Sequence, residues 1–235
     1  MDTLHLRKAR IVIRRAALDE KEEDLILVQQ QEEDEGPDTG ETSLPISQEV
    51  MESVKVLKNA SKTGKVKAED VLLALSTIEK TKVDPSQFLE TLGGSQSPGR
   101  TWMLIFTAKV KLDRGRYFPI TAIQRFDAAV REEENGVFLG PLGYLTFEGR
   151  FSWKKRILAF VFKRIRIKVG LFNQLEIGLG QQGDREPNTK DHFFIWFYID
   201  EEIVVTRGRS GGTAFWCRVY RLSSLVLDDA DAGVY

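Results

Sequence analysis

From Gly99 onward the chain is punctuated by turn signals at Gly115, Asn135-Gly136, Gly140-Pro141, Gly149, Gly183-Asp184, Gly208 and Gly211-Gly212. The segments between them are short and dense in aromatic and β-branched residues. Short strands divided by regular turns restrict a chain to an antiparallel sandwich or barrel. The strands read as residues 102–111, 117–127, 136–138, 144–152, 156–169, 193–199, 203–207 and 214–221. Strands of this number, with their natural twist, close into an up-and-down barrel that leaves no exposed edge.

Two strands break the alternation expected of a barrel with a wet outside. Trp102-Met-Leu-Ile-Phe-Thr107 and Phe193-Phe-Ile-Trp-Phe-Tyr-Ile199 are apolar on both faces. Either the outer face is covered, with the helices before the barrel as the nearest cover, or the inner face lines an apolar cavity. The inward candidates for such a cavity are Trp102, Phe106, Phe147, Phe160, Phe162, Trp196 and Tyr198. The segment 156–169 changes phase. Leu158, Phe160 and Phe162 share one parity, whereas Ile165, Ile167 and Val169 share the other, which predicts a bulge near Lys163.

Charge is divided unevenly along the 235 residues. The total is −1, but residues 1–98 carry 13 basic and 19 acidic side chains, and the remainder carry 21 and 16. Residues 147–168 hold eight basic side chains against the single acid Glu148. Lys154, Lys155, Arg156, Arg164, Arg166 and Lys168 form a candidate basic surface. Such a surface attracts anionic lipid headgroups at roughly 1 kcal/mol per cation. It equally suits nucleic-acid phosphates, the chain's own acidic linker, or plain solvation.

The inventory argues against catalysis. His5 and His192 are the only histidines and Cys217 the only cysteine, so a His-based triad, a zinc motif or an internal disulfide has no residues to draw on. Glu132-Glu133-Glu134 and Asp200-Glu201-Glu202 read as solvated turn carboxylates with no nucleophile beside them. Gly208-Arg-Ser-Gly-Gly212 lacks the lysine of a phosphate loop and reads as a hairpin turn. We expect no enzyme activity and no cofactor. No stretch approaches the ~18 apolar residues of a membrane-spanning helix.

Ahead of the barrel, residues 47–95 read as helical. Ser47 caps a first helix that Thr63-Gly64 ends; residues 67–81 follow; Asp84-Pro85 opens a third that Gly93-Gly94 stops. Residues 1–17 are Arg-rich with Asp2 as their only acid, a bias shared with transit peptides. Residues 18–46 read as an acidic disordered linker, and 223–235 as an acidic tail.

Several of these segments resemble the plastid lipid-associated protein (fibrillin) family. Trp102-Met-Leu-Ile-Phe-Thr107 is similar to that family's opening strand, and Leu139-Gly140-Pro141 and Leu145–Phe151 to its central ones. Tyr198-Ile-Asp200-Glu201-Glu202, a strand, Arg207-Gly208, a short turn and Phe215 are similar to its terminal motif. The resemblance spans residues 50–221. The Gly99-Arg-Thr-Trp102 spacing is one residue longer than the lipocalin-type Gly-x-Trp, and residues 160–169 are more basic than the family pattern. What the resemblance implies is a lipocalin-like barrel in a chloroplast or other plastid. It would bind or sequester prenyl-type or other hydrophobic lipids at thylakoid or plastoglobule surfaces. It also implies a Trp102–Arg207 cation–π pair closing the barrel base.

The fold expectation is therefore mainly β: a lipocalin-like antiparallel barrel behind a short helical segment. The functional expectation is a non-enzymatic lipid binder with a hydrophobic ligand and contact with an anionic, peripheral membrane surface. The alternative is an assembly partner that docks on a thylakoid protein complex through the basic face and helices. Nucleic acid is not an expected partner, because the barrel half carries a net of only +5.

Overall fold

A computed structural model describes residues 47–180 and 185–220. The transit-peptide-like tail, the acidic linker and the acidic C-terminal tail lie outside the described residues.

Three helices precede the strands. Helix α1 (Gln48–Thr63) starts at Ser47, whose side chain accepts from the Val50 N–H, and ends at Gly64 in the left-handed region. Helix α2 (Ala68–Glu79) follows, then the short α3 (Phe88–Gly93). The third helix begins later than the Asp84-Pro85 signal predicts. Asp84 caps a turn instead, accepting from the backbone and hydroxyl of Ser86, and helical hydrogen bonding begins beyond it.

The strands are β1 (Arg100–Ala108), β2 (Gly115–Tyr117), β3 (Thr121–Asp127), β4 (Glu132–Phe138), β5 (Gly143–Lys154), β6 (Ile157–Val169), β7 (Leu175–Gly178), β8 (His192–Ile199), β9 (Ile203–Gly208) and β10 (Thr213–Val219). Antiparallel pairing runs β1–β3–β4–β5–β6–β8–β9–β10, and β10 returns to β1. The molecule is a closed, eight-stranded, lipocalin-like barrel. Strand β2 extends the partner of β1 below Pro119, and β7 pairs with the far half of β6 after β8 has left it. Strands β3 to β7 thereby form a wall that rises past the closed part of the barrel.

Both faces of β8 and β9 are largely buried, and those of β1 and β10 are buried or half-buried. Outside, α1 and α2 pack Leu57, Val71, Leu75 and Ile78 against Phe106, Ile195, Ile203, Val205 and Phe215. Inside, Trp102, Phe126, Phe151, Leu158, Phe160, Trp196 and Val204 form a second core, which Phe88 and Leu92 of α3 close at the base. The helices cover the outer face, and the inner face of these strands packs into an apolar core. Phe126 meets Phe151 and Trp196 edge-on at 6.2 and 5.6 Å between ring centroids, an arrangement favoured by ring quadrupoles.

Charged contacts dock the helices. Arg207 on β9 pairs with Glu79 at the end of α2, and Thr213 also donates to that carboxylate. Lys58 reaches Asp200 at 2.9 Å and Glu202 at 3.1 Å in the β8–β9 turn, and Lys58 and Lys62 hold Glu202 below the usual carboxylate range. Removing one partner of a buried pair strands the other charge. Arg207→Met should therefore cost about 3 kcal/mol of stability. Urea unfolding reads it, and an unchanged midpoint would show that α2 is held by its apolar face alone.

Candidate inner-wall site

The inner wall is read most directly through the strand register, because directly paired residues share a face. One row crosses it as Arg218, Trp102, Gln124, Asn135, Phe147, Ile165 and Ile177. A second runs Phe126, Glu133, Gly149 and Phe162. A third runs Ala122, Val137, Leu145, Ile167 and Leu175. Exposure increases along the first row, from fully buried Trp102 to Ile177 at 40%. The base of the barrel is packed, and the β3–β7 wall carries apolar side chains out to the open end.

Five of the seven cavity candidates lie on this inner wall: Trp102, Phe147, Phe160, Phe162 and Trp196. Rings form a chain from Phe147 to Phe162 at 5.1 Å, to Phe160 at 5.3 Å, to Phe194 at 5.2 Å and to Trp196 at 5.9 Å. Phe106 and Tyr198 do not join them. A register shift between Leu104 and Phe106 in β1, and another between Trp196 and Tyr198 in β8, each insert one residue and reverse the facing beyond it. Both residues therefore lie on the helix-covered side. Strict alternation carried through the two strands misplaces them.

The base pair is corrected in the same way. Trp102 is fully buried beside α3, and its indole N–H donates to the Leu92 carbonyl at 2.8 Å. The guanidinium over its ring, 5.3 Å from the centroid, belongs to Arg218 on the last strand. Arg207 faces outward with Val205, over the Phe197 ring and against Glu79. Alternation on β9 turns Val204 and Thr206 inward and leaves Arg207 on the helix side.

The candidate basic surface divides into two. Lys154, Lys155 and Arg156 lie at the β5–β6 turn, where Arg156 donates to the Val83 carbonyl. Arg164, Arg166 and Lys168 lie beyond the bulge, about 30 to 43 Å of strand from Lys155. Arg164 and Arg166 pair with Glu148 and Glu176. Glu176 belongs to β7, a strand that was not read from the sequence, so its neutralising charge went uncounted. The bulge itself is where the phase change put it: Glu148 pairs with Arg164 and Gly149 with Phe162, leaving Lys163 as the extra residue.

An unanticipated feature lies inside. Glu132-Glu133-Glu134 is not a turn but the start of β4, and Glu133 points into the barrel at 3% exposure. Burial pushes its carboxyl up to about 8. The amide of Gln124 donates to one carboxyl oxygen at 3.4 Å; the other has no protein partner. The amide oxygens of Gln124 and Asn135 also lack one. No periodic signal marks these residues, because β4 carries polar side chains on both faces, Glu133 and Asn135 inward and Glu132 and Glu134 outward, with Phe138 also facing out.

Around the open end the surface is apolar. Leu139 and Leu142 in the β4–β5 turn, Leu171 and Phe172 after β6, and Leu175 at the start of β7 are all exposed. The Gly170 N–H donates to the Leu142 carbonyl at 3.0 Å and joins the two turns into one tip. Elsewhere, a cleft of about 360 Å³ separates the end of α1 from β1 and the β2–β3 link. A groove of about 460 Å³ on the outer face of β3–β6 mixes Arg125, Lys163 and Arg164 with Asp127, Glu134 and Glu148. Burial holds the Cys217 thiol up at about 11, which leaves it unreactive at neutral pH. Among the described residues no helix is long and apolar enough to cross a membrane, and no three His, Cys, Asp or Glu side chains gather as a metal site.

No family model matches the chain, and no curated protein does. A solved structure described as the NMR structure of the protein from Burkholderia xenovorans is similar over 61% of this chain and 95% of its own. The two share 13% identity with a TM-score of 0.32, a level that carries neither fold nor function across.

Proposed function

We propose that this chain is a non-enzymatic lipid-associated barrel of the plastid lipid-associated (fibrillin) kind. It takes a hydrophobic, prenyl-type lipid against the β3–β7 wall and meets thylakoid or plastoglobule surfaces through its tip. The observation that carries the reading is continuity. Leu145, Ile167 and Leu175 carry the inner wall toward the open end, where Leu142, Leu171 and Phe172 are exposed. Soluble proteins rarely leave a contiguous apolar patch of this kind on the surface unless it meets a ligand, a partner or a membrane. Lys168, at the same end, adds a cation beside the tip.

The test pairs two measurements. Organic extraction of the purified full chain followed by mass spectrometry should find stoichiometric apolar lipid. Flotation with vesicles of mixed neutral and anionic lipid should recover the chain, and Leu142→Asp with Phe172→Asp should reduce recovery at least ~10-fold, given that each moves a charge toward the apolar phase. Absence of both lipid and flotation overturns the proposal. Capture of a thylakoid protein complex by the same tip, without flotation, would favour the assembly role instead.

A further inference from the structure

We propose that Gln124, Glu133 and Asn135 form the polar end of the ligand site and select an apolar molecule that ends in a hydroxyl. The inference rests on the lipid-binding reading above and names the head group that reading leaves open. Three oxygens without a protein partner lie on adjacent strands, in adjacent rows of the inner wall: Gln124 Oε1, Glu133 Oε1 and Asn135 Oδ1. Gln124 is 1% exposed and Glu133 3%. Leaving a buried polar group unpaired costs about 1–3 kcal/mol, so a cluster of three is an unusual expense for a barrel core.

Position ties the cluster to the apolar wall. Asn135 pairs directly with Phe147, and beyond it come Ile165 and Ile177 toward the open end. Glu133 pairs with Gly149, so no side chain stands between it and Phe162 in that row. A molecule with its head at the three oxygens would lay its body along Phe147, Phe162, Ile165 and Leu145 and leave through the tip.

Chemistry then selects the head. Amide oxygens only accept, so the head must donate. A neutral Glu133 carboxyl both donates and accepts, and a hydroxyl matches that combination. A carboxylate head would bring a fourth acceptor to three. Arg218 lies over Trp102 in the same row with Nε and Nη1 lacking hydrogen-bond partners, so an anionic head drawn to it is the competing outcome that dodecanoate tests; Arg131 lies over Phe151 at 5.9 Å. Arg125, on the outer face of the same sheet, pairs with Glu134 at 2.7 Å.

Calorimetric titration of the full chain with three C12 probes tests the assignment: 1-dodecanol, methyl dodecanoate and dodecanoate. The alcohol should bind about 10-fold tighter than the ester, the equivalent of one hydrogen bond. That preference should vanish in Gln124→Leu and Glu133→Leu, while ester binding persists. Glu133→Leu removes a buried carboxyl but also the acceptor of the Gln124 amide, so thermal unfolding is read beside binding; Asn135→Leu gives a second, independent variant. Equal binding of alcohol and ester overturns the head-group assignment and leaves the lipid-binding proposal standing. Tightest binding by dodecanoate overturns it in favour of an anion site. If none of the probes binds, the head-group assignment falls, and extraction and flotation decide the lipid-binding proposal.

Discussion

Trp102→Ala should unfold at markedly lower denaturant than the parent protein, with a loss of about 4 kcal/mol or more. The indole is fully buried at the barrel base, and large aromatic truncations in cores cost roughly 3–5 kcal/mol. Two further contacts go with it. The N–H bond to the Leu92 carbonyl fixes α3 under the barrel, and the ring face is what Arg218 rests on. Arg218 has a buried Nε and Nη1 without a hydrogen-bond partner, Nη1 approaching Glu201 only to 4.0 Å, so removing the ring leaves a poorly paired cation over a void. For a domain of this size the melting temperature should fall by roughly 10 °C. Trp102→Phe keeps a ring face but not the N–H, and should recover about half the loss. Urea midpoints for the two variants read the difference. Arg207→Met should not mimic Arg218→Met in the Trp102→Ala background, since only Arg218 shares a contact with Trp102. An unchanged midpoint for Trp102→Ala would remove the base-closing role.

Glu133 should make the protein lose stability as pH rises from about 5 to about 8. The folded chain keeps the Glu133 proton until about pH 8, whereas an unfolded carboxyl releases it near 4.5. Between those values the unfolded chain binds fewer protons, so rising pH favours unfolding, by up to about 1.4 kcal/mol per pH unit. Below the interval both states are protonated, and above it both are ionised, so this contribution is flat on either side. Glu133→Gln should abolish the slope. Glu133→Leu should abolish it and also be more stable than the parent at pH 8, because it removes a carboxyl oxygen with no protein partner. Chemical unfolding at pH 5, 6.5 and 8 separates these outcomes. A parent slope that survives in Glu133→Gln would assign the effect to another group.

Much of the inner wall was legible in the chain because aromatic residues recur at strand spacing between turn signals. Trp102, Phe147, Phe160, Phe162 and Trp196 were recognisable as inward candidates. The Lys163 bulge was legible too, because an apolar run that changes parity permits nothing else. The bulges in β1 and β8 left no such trace. Both strands are apolar on both faces, so inserting Ile105 or Phe197 changes no pattern, yet it moves Phe106 and Tyr198 to the helix side. Strand β7 was missed because Leu175-Glu176-Ile177-Gly178 is only four residues long, and its pairing with β6 supplies the partner that isolated residues lack.

What the sequence by itself determined is an antiparallel barrel behind a helical segment, with two strands apolar on both faces. Turn spacing, capping residues and two-sided apolar strands are local properties, and local sterics and burial suffice to read them. Which residues face one another was decided only by the tertiary structure. Glu133 is inside, Arg218 rather than Arg207 lies over Trp102, and Glu176 neutralises Arg164 and Arg166. Each of these depends on cross-strand register between segments far apart in the chain. A register shift of one residue exchanges the two faces of a strand, and in strands that are apolar on both faces the composition does not reveal it.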